Sequence, residues 1–392
     1  MLLISEAPSL FYQSVKSEKI MTTPAIEKVD GLPIFSAIEP DTIKPAVEKA
    51  IAACKSEIEE VVASKDYSYK NLVLRLEEVD DRLSKMFSPV SHMNSVVSSD
   101  ELRDAHDACL PLLSEYGTWV GQHEGLYNAY AELKASDEFE SLSEEQQKVI
   151  ENAVRDFTLS GVALPVEQKK RFAEIQAKLS ELSSTFSNNV MDATMGWTKH
   201  VTDEAELAGM PESALEAAAQ AAHQKDLQGW LFTLDIPSYL PVMLYADNRE
   251  LREEMYRAYS TKASEQGPNA GKWDNTDIIK ETLTLRTELA ELLGFSSYAE
   301  RSLATKMADS TDQVIGFLRD LAAKSKLQAE RELEEVKAYA RDKHGVTELA
   351  AWDLPYYSEK LKQEKYTISD EMLRPYFPED KVLSGLFEVV HR

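Results

Sequence analysis

Cysteine is almost missing from this chain of 392 residues, with Cys54 and Cys109 its only two. Two thiols cannot build a disulfide framework, and Cys54 falls on the apolar side of a helix-patterned run, so a reducing cytosol is the expected setting. Glycine and proline are sparse at 14 and 15. That scarcity excludes a turn-rich all-β fold and leaves a mostly α protein with long helices as the expected class. Positive charge is short as well: 43 Lys and Arg stand against 68 Asp and Glu, a formal charge of −25. Such a surface repels a phosphate backbone, and no cluster of basic and aromatic residues makes a local exception, so nucleic acid is excluded as a partner. Long apolar runs are missing too. Met1–Ile4 is too short for a secretory core, and polar Ser5 and acidic Glu6 follow at once. The expectation is a soluble, cytoplasmic protein that does not engage a membrane.

The chemistry-bearing patterns are equally thin. The seven histidines are His92, His106, His123, His200, His223, His344 and His391, and no two lie four residues apart. The helix motif His-Glu-x-x-His, in which two imidazoles one turn apart hold Zn²⁺ and the Glu activates its water, is therefore absent. Only His123 precedes a Glu, and the place of the second imidazole is taken by Tyr127. A phenol is a poor substitute, so His123-Glu124 reads as an ordinary structural pair. Gly267–Trp273 superficially resembles a phosphate loop. It has three residues between its glycines instead of four, and Trp273 where Ser or Thr should follow Lys272, so it reads as a structural turn. No Gly-x-Ser-x-Gly elbow occurs, and neither cysteine has a nucleophile's context. Asp235, in an extended stretch, is the most conspicuous carboxylate, and reads as a turn or ion-pair residue before a general base. No catalytic residue and no metal ligand is assigned, and no substrate-binding residue can be identified.

What is present is helical periodicity. Ile43, Val47, Ile51, Cys54, Ile58 and Val62 share a face from Asp41 onward, with Pro45 expected in the first turn. Leu72, Leu76, Val79, Leu83 and Met86 follow, which predicts an antiparallel helix pair. Ser143–Gln146 and Ser310–Gln313 read as capping boxes, each opening a helix, the second a long one through Val314, Phe317, Leu318 and Leu321 to His344. Phe172, Ile175, Leu179, Leu182, Phe186 and Val190 form another stripe after Gly161 and Pro165. Between 196 and 245 the pattern changes. Trp197–Val201 and Trp230–Ile236 read as strands of a short antiparallel sheet, with a helix over 214–224 between them and Pro237 and Pro241 closing the second strand. Thr282–Ala308 reads as a paired-helix segment, its leucine stripe ended by Gly294 and resumed at Ala299, Leu303 and Met307. Val382, Leu383, Leu386, Phe387 and Val390 are helical in spacing, with no stop signal after them.

Seven ordered pieces carry a resemblance: Gly31–Phe35, Ser160–Pro165, Leu234–Pro241, Asn248–Arg252, Leu292–Ala299, Trp352-Asp353 with Tyr356-Tyr357, and Leu373–Pro378. Together they make nearly everything after Met21 resemble the N-terminal portion of the thimet oligopeptidase family of zinc metallopeptidases. The resemblance implies a two-lobed, almost wholly helical fold with a small antiparallel sheet and a deep channel that admits short unfolded peptides. It implies one zinc ion, whose bound water attacks the scissile carbonyl with the motif Glu as general base. In that family the zinc helix lies downstream of the matched region, beyond Arg392, so zinc is not expected to bind to this chain. The expected organisation is a disordered extension at 1–20, an N-terminal helical domain at 21–195, short strands with a connecting helix at 196–245, and an incomplete catalytic domain at 246–392. The expected function is that of a cytoplasmic zinc metalloendopeptidase of short peptides, truncated before its zinc helix and inactive alone. The alternative is a non-catalytic helical module that binds peptide or its own missing C-terminal region.

Overall fold

The computed structural model describes residues 23–392, so the extension expected at 1–20 lies outside the described residues. Among the described residues helices dominate, with one antiparallel pair of strands, and the mostly α class holds. No helix among the described residues is long and apolar enough to cross a membrane. The chain forms two compact units, the first ending at Val154 and the second beginning at Arg155.

In the first unit, α1 (Pro40–Ser64), α2 (Arg75–Val96) and α3 (Asp100–Gly121) form the main packing group. Lys65, in the left-handed region at φ 53°, stops α1, and a π-helical turn at Tyr69–Leu74 leads into α2. Cross-links run in opposite senses along the two helices: Cys54 Sγ donates to the Val79 carbonyl (3.5 Å), Arg75 pairs with Glu57, and Asn71 donates to Ser64 (3.3 Å). They establish the antiparallel pair. Two details differ from the expectation. Val61 is the fully buried residue at the end of the stripe, while Val62 is half-buried, and Pro45 sits in the second turn of a helix that begins at Pro40. Then come α4 (Glu124–Lys134), α5 (Asp137–Ser141) and α6 (Glu144–Leu159). The α6 capping box is reciprocal: the Gln146 N–H donates to Ser143 Oγ (3.4 Å), and the Ser143 N–H to Gln146 Oε1 (3.0 Å).

The second unit continues with α7 (Val166–Met195), β1 (Thr198–Val201), α8 (Glu212–His223), β2 (Trp230–Thr233), α9 (Ile236–Tyr245) and α10 (Arg249–Ser260). It ends with α11 (Thr276–Leu292), α12 (Tyr298–Leu303), α13 (Thr311–His344), α14 (Leu354–Tyr366), α15 (Asp370–Leu373) and α16 (Glu379–His391). Phe172, Ile175 and Leu182 of α7 pack with Leu285 and Leu289 of α11, and Arg171 grips Glu288 with two bonds of 2.6 and 2.7 Å. The strands pair with Thr198 opposite Thr233 and Val201 opposite Trp230. Trp197, Phe232, Val242, Leu251 and Met255 form the core beneath them.

Several expectations are corrected here. The second strand stops at Thr233, and the two prolines lie inside a helix, because a ring-fixed φ near −65° suits a helix start as well as a strand's end. Phe186 is 40% exposed and outside the α7–α11 core, and Met307 lies beyond the end of α12, fully exposed. Ser310 caps α13 through the Gln313 N–H (3.1 Å), but Gln313 reaches back to the Asp309 N–H (2.7 Å), one residue short of a reciprocal box. Ile315, Phe317, Leu318 and Leu321 at the start of α13 are exposed, and Ala340 is the only buried residue in that helix.

Phe172→Ala should cost about 3–5 kcal/mol of stability, and Phe186→Ala clearly less, about 1 kcal/mol. Urea unfolding followed by circular dichroism checks this. Equal losses would mean that Phe186 is packed after all.

Candidate functional site

The sequence's nearest approach to a zinc motif is a helix cap. His123 is the N-cap of α4, and its Nδ1 accepts the Leu126 N–H at 3.0 Å. The ring proton must then sit on Nε2, which faces Glu59 of α1 at 3.3 Å. Trp119 meets the same ring edge-on at 4.9 Å. His200 Nε2 lies 2.6 Å from the Gln228 carbonyl, His106 pairs with Asp107, and His344 lies between Tyr339 and Tyr357. Among the described residues, no three His, Cys, Asp or Glu side chains gather as a metal ion requires. With its ring nitrogens committed in this way, the one His-Glu pair does not fit a zinc ion.

The other singled-out residues are structural. Asp235 accepts from the Thr233 hydroxyl (2.9 Å), and its carbonyl takes the first N–H groups of α9, which makes it a turn residue. In the Gly267–Trp273 loop, Trp273 closes on Gly196 so tightly that a Cβ there would lie 2.1 Å from the indole. Cys54 and Cys109 are both buried; burial raises both thiols, Cys109 to about 11, and so disfavours the reactive thiolate.

The densest chemistry lies where no motif pointed. Asp353, with no exposed surface, receives Arg249 Nε and Nη2 at 3.0 and 2.6 Å, Arg252 Nη2 at 2.9 Å and the Ala350 N–H at 2.9 Å. Arg252 is itself 1% exposed. Its remaining donors reach the carbonyls of Ala246 (2.7 Å), Asp247 (3.3 Å) and Trp352 (3.3 Å), and its guanidinium lies over the Tyr356 ring at 4.1 Å. Tyr356 in turn donates to Asp247 at 2.6 Å, beside Lys360 at 3.2 Å. Gly209, at φ +86°, allows its loop to close on this group, because a Cβ there would lie 2.4 Å from the Tyr245 carbonyl. Burial alone would raise both carboxyls. Arg249, the Ala350 N–H and Arg252 instead hold Asp353 below the ordinary range, and Tyr356 and Lys360 do the same for Asp247. Every charge has its partner, so the cluster clamps α10 to the start of α14 and offers no free acid, base or nucleophile.

Sequence reasoning assigned this cluster no role, yet two of the seven resemblance pieces, Asn248–Arg252 and Trp352–Tyr357, are its two sides. A third, Leu373–Pro378, holds Arg374, whose Nη1 bonds Ser213 at the start of α8 (2.7 Å).

Paired long helices and one minimal sheet define a mostly α fold. A family model described as "Neurolysin/Thimet oligopeptidase, N-terminal domain" matches residues 47–169, and one described as "Peptidase family M3" matches residues 242–392. The chain belongs to peptidase family M3. It is 60% identical over 372 residues to oligopeptidase A of Haemophilus influenzae, covering 95% of this chain and 54% of that protein. Identity to oligopeptidase A of Escherichia coli is 59%, covering 95% of this chain and 55% of the relative. For the probable cytosolic oligopeptidase A of Arabidopsis thaliana it is 38%, covering 94% and 53%. The chain thus spans about half the length of the curated relatives it matches.

Asp353→Ala leaves Arg252 buried without its counter-charge and should cost about 3–5 kcal/mol. A carboxyl whose pKa is depressed by folding binds its proton more readily when unfolded. Its stabilisation is therefore complete above about pH 4 and is lost as pH falls through the folded-state value. Thermal unfolding between pH 2 and 6 should show this loss in the wild type and a flatter profile in Asp353→Asn; parallel profiles would remove Asp353 from the account. His123→Ala should cost about 1 kcal/mol, the loss of a helix cap, with no change in zinc content by atomic absorption.

Proposed function

We propose that this chain supplies the helical framework of a zinc-dependent metalloendopeptidase of the oligopeptidase A type, which hydrolyses short peptides in the cytoplasm, and that the chain by itself hydrolyses none. The observation that carries the reading is the 60% identity to an oligopeptidase A across 95% of a chain that contains no His-Glu-x-x-His. A helix carrying that motif is what the chemistry requires. The word "cytosolic" in the Arabidopsis relative's name and the scarcity of cysteine support the location. For the proposed division at 21–195, 196–245 and 246–392, the last boundary is supported by the start of a family match at 242.

A second reading, a non-catalytic helical module that binds peptide or a complementary chain, is favoured by one observation. Phe317, Leu327, Phe387 and Val390 are each at least 65% exposed on α13 and α16, more apolar surface than a solvated helix presents.

Quenched-fluorescent peptides of about ten residues test the first reading. The purified chain should give no zinc-dependent turnover above a mock purification. Turnover that survives that control and disappears with a chelator would overturn the statement that the chain is inactive alone.

A further inference from the structure

Helix α8 meets β2 and the first turn of α9 with alanine on one of its faces. Ala214, Ala217, Ala218 and Ala221 recur at helical spacing, and with Leu231 and Phe232 they line a cavity of about 220 Å³. Four methyl groups leave the space that longer side chains would fill. Asp235 and Ser238 belong to the same lining, each with hydrogen-bonding capacity to spare. Asp235 takes the Thr233 hydroxyl on Oδ2 at 2.9 Å, and its Oδ1 has no partner among the described residues. Ser238 Oγ accepts the Thr233 N–H at 2.9 Å, which leaves the hydroxyl hydrogen to donate. Lys262 lies within electrostatic reach of Asp235 but holds its Nζ over the Tyr259 ring at 4.0 Å and forms no ion pair with that carboxylate. The cavity therefore combines an anionic acceptor, a hydroxyl donor and an apolar floor.

We infer that this cavity binds the first residue of a peptide: its α-ammonium pairs with Asp235 Oδ1, its carbonyl accepts from the Ser238 hydroxyl, and an aliphatic side chain lies on the alanine floor. Charge selects the sign of the ligand, since an unpaired carboxylate on a chain of formal charge −25 attracts a cation and repels an anion. Size selects its extent. At about 220 Å³ the cavity is smaller than the ~300–1,000 Å³ pocket of a drug-sized ligand and suits a single residue. Polarity selects its chemistry: a cationic donor and a carbonyl acceptor, joined by a carbon that bears an apolar group, occur together at the amino terminus of a peptide. Asp235 and Pro237 are exposed at the rim, so the following residues can run outward into solvent. The inference rests on the peptide binding that both readings above share, and it names the part of the peptide that is held.

Saturation-transfer NMR on the full 392-residue chain tests this at pH 7 with leucinamide as the probe. A Kd of about 1 mM is expected, the strength that so few atoms reach. N-acetyl-leucinamide, which lacks the charge, and glycinamide, which lacks the side chain, should each bind about tenfold more weakly or worse. Asp235→Asn keeps an acceptor for the Thr233 hydroxyl and removes the charge, and should weaken leucinamide about tenfold. Ala217→Leu fills the cavity from an exposed position and should abolish binding. Both variants should keep the melting temperature of the wild type; if either unfolds, the three probes on the wild-type chain decide. The amide of Leu-Gly-Gly should displace leucinamide at an equal or lower concentration. No leucinamide binding, equal binding of the acetylated probe, undiminished binding by both variants, or failure of the tripeptide to compete would overturn the inference. Peptide hydrolysis plays no part in these measurements, so a lost pocket leaves the proposed activity standing, and a lost activity leaves the pocket standing.

Discussion

The second unit depends on a carboxylate that has left water altogether. Asp353 can be ionised inside the protein only because four donors converge on it, two from Arg249, one from the Ala350 N–H and one from Arg252, an arginine almost as buried as the carboxylate. Taking either charge alone out of water is costly by several kcal/mol, so neither survives without the other. The consequence is geometric. Arg249 and Arg252 sit on α10 about one hundred residues before Asp353, and their mutual satisfaction fixes how α10, the Ala246–Asp247 corner and the first turn of α14 meet. Tyr356 extends the constraint, since its ring faces Arg252 while its hydroxyl holds Asp247. The small sheet and its apolar core are built on the elements so fixed.

That constraint gives physical content to the sequence pieces by which the family is recognised. Asn248 caps α10, Arg249 and Arg252 bind Asp353, Gly294 ends α11 in a conformation open to glycine, and Arg374 ties its segment to Ser213. Each is a joint between elements, where a backbone group or charge has one satisfactory partner and substitution leaves it unsatisfied. A family can be read from such residues without a catalytic group among them, because a joint specifies a fold as tightly as an active site specifies a reaction.

The bare faces of α13 and α16 stand at the other extreme. A helix of 34 residues with one buried side chain gains little from burial, and surface ion pairs such as Lys324–Asp320 add only tenths of a kcal/mol. Its apolar stripe is of the kind that packs against a neighbour, as its last turns do against Tyr356 and Tyr357.

By itself the sequence determined the local structure. Periodicity placed the long helices, Ser143 and Ser310 announced two of their starts, and Gly294 announced an end, because each of these signals acts within one turn of backbone. It also determined that no His-Glu-x-x-His is present. The tertiary structure decided the rest. Whether Phe186 or Phe317 is covered depends on a neighbour distant in sequence, and periodicity is blind to that neighbour. Proline at 237 and 241 satisfies a strand's end and a helix's start equally well until the surrounding core chooses. His123 differs from a metal ligand only in what its two nitrogens face, and that is set by Leu126 and by Glu59 on another helix. Arg252 and Asp353 look like any other charged residues of an acidic helical chain. Only the fold removes them from water together, and the cost of separating them there makes the pair matter.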